Sequence, residues 1–131
     1  MSQSDGAGIA AVRGAVSVAR NEREAILEAT ARLLNKLVEI NGLDQGRIVS
    51  AVFTATEDLD ADFPAHAARR IGWVDVPLLG AREIAVPGAM PRIIRVLLTV
   101  SGVPEGTRLV PVYLDEAAAL PWKVLVLERR D

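Results

Sequence analysis

The feature that most constrains this sequence is an arginine inside a run that otherwise reads as a buried strand. The segment is Pro87 to Val100, PGAMPRIIRVLLTV, whose second half consists of branched or large apolar residues around Arg95. Proline and glycine precede this run and Ser101-Gly102 follows it, which is typical of a central strand. An unpaired buried charge is very costly. Arg95 is therefore predicted to meet either a carboxylate of the protein or an anionic ligand.

Composition narrows the possible functions. The 131 residues suffice for a single domain, residues 1–131, and 50% of them are hydrophobic. A net charge of -2, with no basic block or aromatic platform, argues against a nucleic acid partner. The absence of cysteine and the single histidine exclude a cysteine nucleophile and metal sites built from thiolates or histidine clusters.

Cellular location and chain ends follow from the same composition. No apolar run approaches the about 18 residues that suggest a membrane span, and the first residues do not resemble a signal peptide. We therefore expect a cytoplasmic protein with no membrane partner. Residues 1–8 are small and polar and are predicted to be a disordered tail, and residues 121–131 are predicted to be a C-terminal tail.

A second arginine lies inside the first predicted strand, Ile9 to Val18. Alternation places Val12 and Val16 on one face of this strand and Arg13 on the other. Spacing leaves two interpretations open for Arg13: an ordinary outward-facing charge or a ligand for an anion.

The clearest helix is predicted over Asn21 to Ile40. Its apolar residues recur every three or four positions and form one stripe. Asn21 and Glu24 have the spacing of a capping box, and Asn41-Gly42 is suited to a left-handed end.

Several shorter elements complete an α+β fold with one mixed β-sheet, one long helix and short helices. The further predicted strands are Ile48 to Ala55, Val74 to Leu78, Ile84 to Val86 and Leu109 to Leu114, the short helical pieces are Phe63 to Ile71 and Asp115 to Leu120, and a last apolar segment is Trp122 to Leu127. The acidic loop Thr56 to Asp62 lacks the spacing of an EF-hand and is read as a solvated loop without metal. So few helices leave sheet surface uncovered, which predicts a homo-oligomer.

Many residues along the chain match the pattern of a known family. The matching residues are, in order, Val12-Arg13-Gly14-Ala15-Val16-Ser17-Val18, Asn21, Glu24, Ser50 to Thr56, Asp58-Leu59, Asp62-Phe63-Pro64-Ala65, Ala67-Ala68-Arg69, Gly72-Trp73, Val76-Pro77, Glu83, Gly88, Ile94-Arg95-Val96, Thr99-Val100 and Val112-Tyr113-Leu114. Over residues 10–120 the sequence thus resembles the monofunctional chorismate mutases of the small trimeric AroH class. The match includes charges within strands as well as hydrophobic pattern.

The resemblance implies a trimeric pseudo-barrel with active sites between subunits. It also implies an isomerase that converts chorismate to prephenate by a Claisen rearrangement, in phenylalanine and tyrosine biosynthesis, without metal or cofactor. Such a pericyclic reaction needs a dianionic substrate held in its compact conformer and donors aimed at the ether oxygen.

Site roles follow from the same resemblance. Arg95 would donate to the breaking ether oxygen, Arg13 would bind the side-chain carboxylate beside Tyr113, and Glu83 would accept from the ring hydroxyl. Arg95 and Glu83 would then grip different ends of the ligand and need not pair, although Glu83 is also the candidate carboxylate partner of Arg95. Phe63 would form an apolar wall and Arg69 would stand at the entrance. The remaining substrate-binding positions are Ala65, His66, Leu79, Gly80 and Leu120.

Three departures from the family pattern bear on this site. His66 stands where many relatives have lysine, so the charge at the entrance would fall as pH rises. Gly80 replaces a larger residue against the substrate. The usual Leu-Arg-Pro-Asp-Leu end is replaced by Leu120-Pro121-Trp122-Lys123, where Lys123 could substitute for the arginine.

Two other functions are compatible with the residues alone. A trimeric imine deaminase of the Rid type also binds a carboxylate with a strand arginine, but the contexts of Arg13 and Glu83 argue against it. A noncatalytic oligomeric binding module would assemble without affinity for chorismate.

Overall fold

The computed structural model describes residues 7–120. The predicted C-terminal tail 121–131, with Lys123 and the segment Trp122 to Leu127, lies outside the described residues, as do residues 1–6 of the predicted N-terminal tail, whereas Gly8 of that tail begins a strand. The elements, in chain order, are β1 (Gly8–Ser17), α1 (Arg23–Asn41), a 3₁₀ turn (Gln45–Arg47), β2 (Ile48–Ala55), α2 (Ala65–Arg70), β3 (Leu78–Arg82), β4 (Ile93–Val103), β5 (Val112–Leu114) and a second 3₁₀ turn (Asp115–Ala119). Neither helix of this described part has the length and apolar character needed to cross a membrane.

The strands form one mixed sheet in the order β3-β2-β4-β1-β5. Strand β4 lies in the middle and runs antiparallel to both β1 and β2. The edge strands are parallel to their neighbours, β3 to β2 and β5 to β1. The prediction of an α+β fold, with the arginine-bearing strand at the centre of a mixed sheet, is confirmed.

Helix α1 covers one face of this sheet. Its apolar stripe is fully buried, with Ile26, Leu27, Leu33, Leu34 and Leu37 all at 0% exposure. Its C-terminal end is the predicted left-handed one, because Gly42 has φ 59° and its N–H donates to the carbonyl of Glu39. The helix is thus the main cover of the core.

The predicted capping box at the start of α1 is wrong. Glu22 occupies the N-cap position with extended backbone and makes no side-chain capping bond. Asn21 instead donates from Nδ2 to Asp60 Oδ1 at 2.7 Å and accepts the backbone N–H groups of Asp60 and Ala61 at 3.1 and 3.0 Å. Its amide therefore holds the acidic loop against the start of the helix. Because these bonds use the side-chain oxygen of Asn21, that oxygen does not cap α1.

The predicted strand Val74 to Leu78 is also wrong, and the true strand begins where it was expected to end. The carbonyls of Trp73 and Val76 accept from Nη1 of Arg69 rather than from a neighbouring strand. Strand β3 follows over Leu78–Arg82 and includes Gly80, which was expected to interrupt it.

Two other predicted strands differ from the structure. Ile84 to Val86 forms no strand, and its side chains are exposed, Ile84 by 86% and Val86 by 58%. The last described strand covers only Val112–Leu114, because residues 109–111 lie beyond its pairing with β1.

Gly14 on β1 marks the closest approach of helix and sheet. A Cβ at this position would lie 2.9 and 3.0 Å from the Cδ1 atoms of Leu33 and Leu37, and 3.1 Å from the carbonyl oxygen of Val112. Overpacked cores lose stability because side chains and backbone must shift. We expect Gly14→Ala to lower the free energy of unfolding by about 1–3 kcal/mol, measured by urea denaturation at fixed protein concentration.

Gly8 supplies the matched control for this substitution, since nothing lies within 4 Å of a Cβ built on it. Gly8→Ala should leave the urea midpoint near that of the wild type. Equal midpoints for Gly14→Ala and the wild type would contradict the close approach of helix and strand.

Candidate active site

The sheet face that α1 does not cover carries the polar residues found inside strands. Strand register places one row of residues across all five strands: Ala81, Thr54, Arg95, Ala15 and Tyr113. Paired residues on neighbouring strands project to the same face and lie within side-chain reach. The arginine and the tyrosine therefore share a face, with the small Ala15 between them.

Arg13 lies one step along the same face. It pairs with Leu97 across β1 and β4, two residues from the Ala15–Arg95 pair. Because side chains alternate along a strand, Arg13 and Arg95 project from the same side of the sheet. The structure thus brings together the two strand arginines.

Glu83 completes this group directly after β3. Its N–H donates to the carbonyl of Ala55 at 2.9 Å, which holds its backbone to the end of β2. Its Oε2 accepts from Thr54 Oγ1 at 2.6 Å and from Arg95 Nη1. The side chains of Arg95 and Glu83 are 28% and 20% exposed.

The Arg95–Glu83 ion pair corrects one expectation. The two residues were expected to be separated enough to grip different ends of a ligand, yet they bond directly in this chain. The register explains the contact, because Thr54 pairs with Arg95 on one side and with Ala81 on the other. The carboxylate partner anticipated for Arg95 is thus present, and its position beside a depression leaves the arginine able to contact a ligand as well.

The depression beside this pair has a volume of about 330 Å³. It is lined by Arg13, Gly14, Val52, Thr54, Glu83, Arg95, Val96 and Leu97. The lining holds two guanidinium groups and one carboxylate among apolar residues, so positive charge predominates. Guanidinium groups suit carboxylates because their N–H fork can bind both oxygens. The depression is therefore suited to an anion with an apolar body.

Tyr113 and Leu120 pack at the β5 edge of the sheet face that carries Arg95. Leu120 is 4% exposed and packs with Ala15, Ile93 and Ala117, and Tyr113 packs against the same cluster. Tyr113 thus lies on the same sheet face as Arg13, and its predicted role beside Arg13 stays a prediction. The predicted contact of Leu120 with substrate stays a prediction, since its side chain is buried in its own chain.

The other predicted site residues lie elsewhere. Phe63, two residues before α2, borders a separate depression of about 410 Å³ that Gly80 and Arg82 also line. Its ring is 67% exposed, and Leu79 on β3 is 63% exposed. Ala65 and His66 follow Phe63 at the start of α2. One chain therefore does not bring the Phe63 group and the Arg95 group around a single depression.

Arg69 has a structural contact that sequence reasoning did not foresee. Its Nη1 donates to the carbonyls of Trp73 and Val76, the latter at 3.0 Å. These bonds hold the segment after α2, which has no strand partner there. The predicted role of Arg69 at a substrate entrance stays a prediction.

Asp62 belongs to the loop predicted to be solvated, but it connects this loop to both helices, α1 and α2. Its carboxylate accepts from the Phe63 N–H at 2.6 Å and lies 2.8 Å from Nδ1 of His66 and 2.9 Å from Nε of Arg23. The side chain is only 10% exposed. The Phe63–His66 rings meet edge to face with centroids 5.4 Å apart. Asp62 therefore fixes both predicted site residues to α1, and no spacing in the sequence signalled it.

These contacts also act on the ionisation of Asp62. The bond from the Phe63 N–H is the largest influence and lowers the pKa of the carboxyl, with smaller contributions in the same direction from His66 and Arg23 against desolvation. A carboxyl whose pKa is lower in the folded state stabilises the fold when ionised, and this stabilisation is lost on protonation.

Comparing the melting temperatures of Asp62→Asn and the wild type at different pH values is expected to show this contribution of the ionised carboxylate to stability. Above about pH 4, which is near the usual pKa of a free aspartate, the wild type should have a higher melting temperature than Asp62→Asn. As pH falls below that value the difference should shrink, because the wild-type carboxyl becomes protonated as well. A difference that is constant from pH 7 to pH 3 would contradict the contribution of the ionised carboxylate.

Residues 7–120 contain no group of three or more histidine, cysteine, aspartate or glutamate side chains arranged to hold a metal ion.

Comparisons with known proteins place this arrangement in context. A family model described as chorismate mutase type I matches residues 9–122. A chorismate mutase AroH of Thermus thermophilus is 49% identical over 110 residues, which cover 83% of this chain and 90% of that protein. A chorismate mutase AroH of Bacillus subtilis strain 168 is 37% identical over 113 residues, which cover 86% of this chain and 89% of that protein.

The fold comparison agrees with the sequence comparison. The solved structure of a chorismate mutase from Clostridium thermocellum superposes with a TM-score of 0.82 at 41% identity. The matched region covers 85% of this chain and 99% of that chain.

Proposed function

Since the chain belongs to the type I chorismate mutase family and is a chorismate mutase, we propose that Arg95 is its main catalytic group, in a site that two subunits complete. The single observation that carries this proposal is the position of Arg95. It lies in the central strand, beside Arg13 and against Glu83, on the sheet face that α1 leaves uncovered.

The reaction determines what such a site must supply. Rearrangement of chorismate to prephenate breaks an ether C–O bond and forms a C–C bond within one molecule, so no proton transfer or covalent intermediate is required. The enzyme must select the compact conformer of a flexible dianion and stabilise negative charge as it develops on the ether oxygen. Fixed cations in a partly desolvated site do both, because they cost no reorganisation during the reaction.

The three polar groups of the depression divide these tasks. Arg95 donates to the ether oxygen, where charge is greater in the transition state than in bound substrate. Arg13 binds the carboxylate of the enolpyruvyl side chain, with Tyr113 on the same face. Glu83 accepts from the ring hydroxyl through the oxygen that is not occupied by Thr54 and Arg95.

A second subunit supplies the apolar half of the site. In support, Phe63 is 67% exposed and borders a different depression from that of Arg95. Leu79 and Leu97, which share the Arg95 face, are 63% and 42% exposed. Such apolar surface is typical of an interface. A closed ring of three identical subunits brings the Phe63 group, including Ala65, His66 and Arg69, against the Arg95 group of its neighbour.

The proposal is tested by measuring activity and assembly on the same sample. Loss of chorismate absorbance, with prephenate identified as product, should coincide with trimers in sedimentation velocity runs. Dilution that dissociates the trimers should abolish turnover per chain. Full activity in a sedimenting monomer would overturn the shared site.

A further inference from the structure

Thr54 makes a contact at the centre of the site that the proposed roles do not use. Its Oγ1 donates to Oε2 of Glu83 at 2.6 Å, and the same oxygen accepts from Arg95 Nη1. Thr54 is half-buried on β2 and pairs directly with Arg95 across the sheet. Among residues 7–120, every hydrogen bond to the carboxylate of Glu83 arrives at Oε2.

From this geometry we propose that Thr54 is a positioning residue, which holds Glu83 in place while Arg95 turns from Glu83 to the substrate. The inference rests on the proposed function, because it assumes that Arg95 donates to the ether oxygen. It assigns a task to a side chain that never touches the reacting atoms.

The need for such a residue follows from the shared oxygen. A guanidinium has several N–H donors, but turning one of them toward the ether oxygen when substrate binds moves the Nη1 that donates to Glu83. Without Thr54, this movement would leave the side chain of Glu83 poorly oriented, since the backbone bond of Glu83 to Ala55 does not restrain its side-chain torsions. A second donor keeps the carboxylate fixed during this movement.

Threonine is well suited to this task. Its branched side chain has a restricted χ1 in a strand, and a hydroxyl bond to a carboxylate is shorter and stronger than one between neutral groups. The two bonds to Oε2 leave Oε1 as the oxygen that accepts from a substrate. The geometry therefore keeps one oxygen of Glu83 for the protein and the other for the ring hydroxyl.

Thr54→Val tests the hydroxyl with little change in shape. We expect kcat for chorismate to fall about tenfold, as loss of a bond to a charged group implies, while KM changes by less than about threefold. Thr54→Ser should recover kcat to within about twofold of the wild type, because it restores the donor. Thr99→Val is the matched control. Thr99 is on β4, on the same sheet face as Arg95 but outside the depression, so this variant should retain wild-type kcat.

A double-mutant cycle with Glu83→Gln shows whether Thr54 acts through Glu83. In that background Thr54→Val should cost no more than about twofold in kcat, because the carboxylate that it positions is gone. If the valine variant assembles poorly, Thr54→Ala compared with Thr54→Ser gives the same contrast.

Wild-type kcat in Thr54→Val, equal losses in the serine and valine variants, or a full tenfold loss in the Glu83→Gln background would each overturn the proposal. These outcomes differ from failure of the proposed function, which would appear as wild-type turnover in Arg95→Ala.

Discussion

Replacement of Arg95 by alanine is expected to lower kcat for chorismate by about a hundredfold or more, the loss typical of removing one preorganised donor. The reason is electrostatic, because charge on the ether oxygen grows only as the bond breaks. Arg95→Lys should recover little, since an ammonium on a flexible chain cannot reproduce the geometry of a guanidinium fixed by the central strand. Initial rates of chorismate loss, with kcat and KM separated, measure both effects.

The variants must be shown to fold and assemble, because alanine leaves Glu83 without its cation. Sedimentation and thermal melting make that check. Arg108→Ala is the matched control: Arg108 is exposed in the segment after β4, outside the depression, and its loss should leave kcat unchanged. Turnover near the wild-type value in folded Arg95→Ala would remove Arg95 from the chemistry.

Mixing two inactive variants is expected to restore activity. In the proposed site shared by two subunits, Arg95→Ala destroys one half, and Phe63→Asp places a negative charge against the dianionic substrate in the other half. In randomly mixed trimers a site is intact when its Arg95 comes from a Phe63→Asp chain and its Phe63 from an Arg95→Ala chain. At equal amounts this applies to about a quarter of sites, so about a quarter of wild-type turnover should return.

Subunits must be exchanged for this result, by co-expression or by refolding the mixture. A mixture of Arg95→Ala with Arg95→Lys, treated identically, should stay inactive because every site lacks its arginine. No gain above the separate variants, in trimers shown by mass to contain both chains, would mean that each chain builds its site alone.

The elements with strong hydrophobic patterns could be predicted from sequence. Strand β2 was predicted over Ile48–Ala55, and helix α1 within two residues, because buried apolar residues recur at the periods of these elements. Strand β3 was misplaced because four of its five residues are exposed. It is an edge strand held by backbone pairing with β2, and such pairing leaves little trace in side-chain pattern.

Prediction of the site reached a similar limit. An arginine in an apolar strand requires a partner on physical grounds, and that partner proved to be Glu83. Glu83 could be named as a candidate partner from the sequence, but the pattern could not show that it reaches Arg95, since this depends on the register of β2, β3 and β4. Thr54 and Asp62 were missed for the same reason, because a threonine in a strand and an aspartate in an acidic loop are ordinary in sequence.

The register that assembles the site also limits how the gene can change. Arg13, Arg95 and Tyr113 share one face only because β1, β4 and β5 keep a fixed alignment. Insertion of one codon within β1 would turn every later side chain of that strand to the opposite face, so Arg13 and Gly14 would exchange environments. Residues 84–91, between Glu83 and β4, carry no such constraint, since none of them belongs to a strand. Length variation among descendants of this chain should therefore accumulate there and be absent from β1.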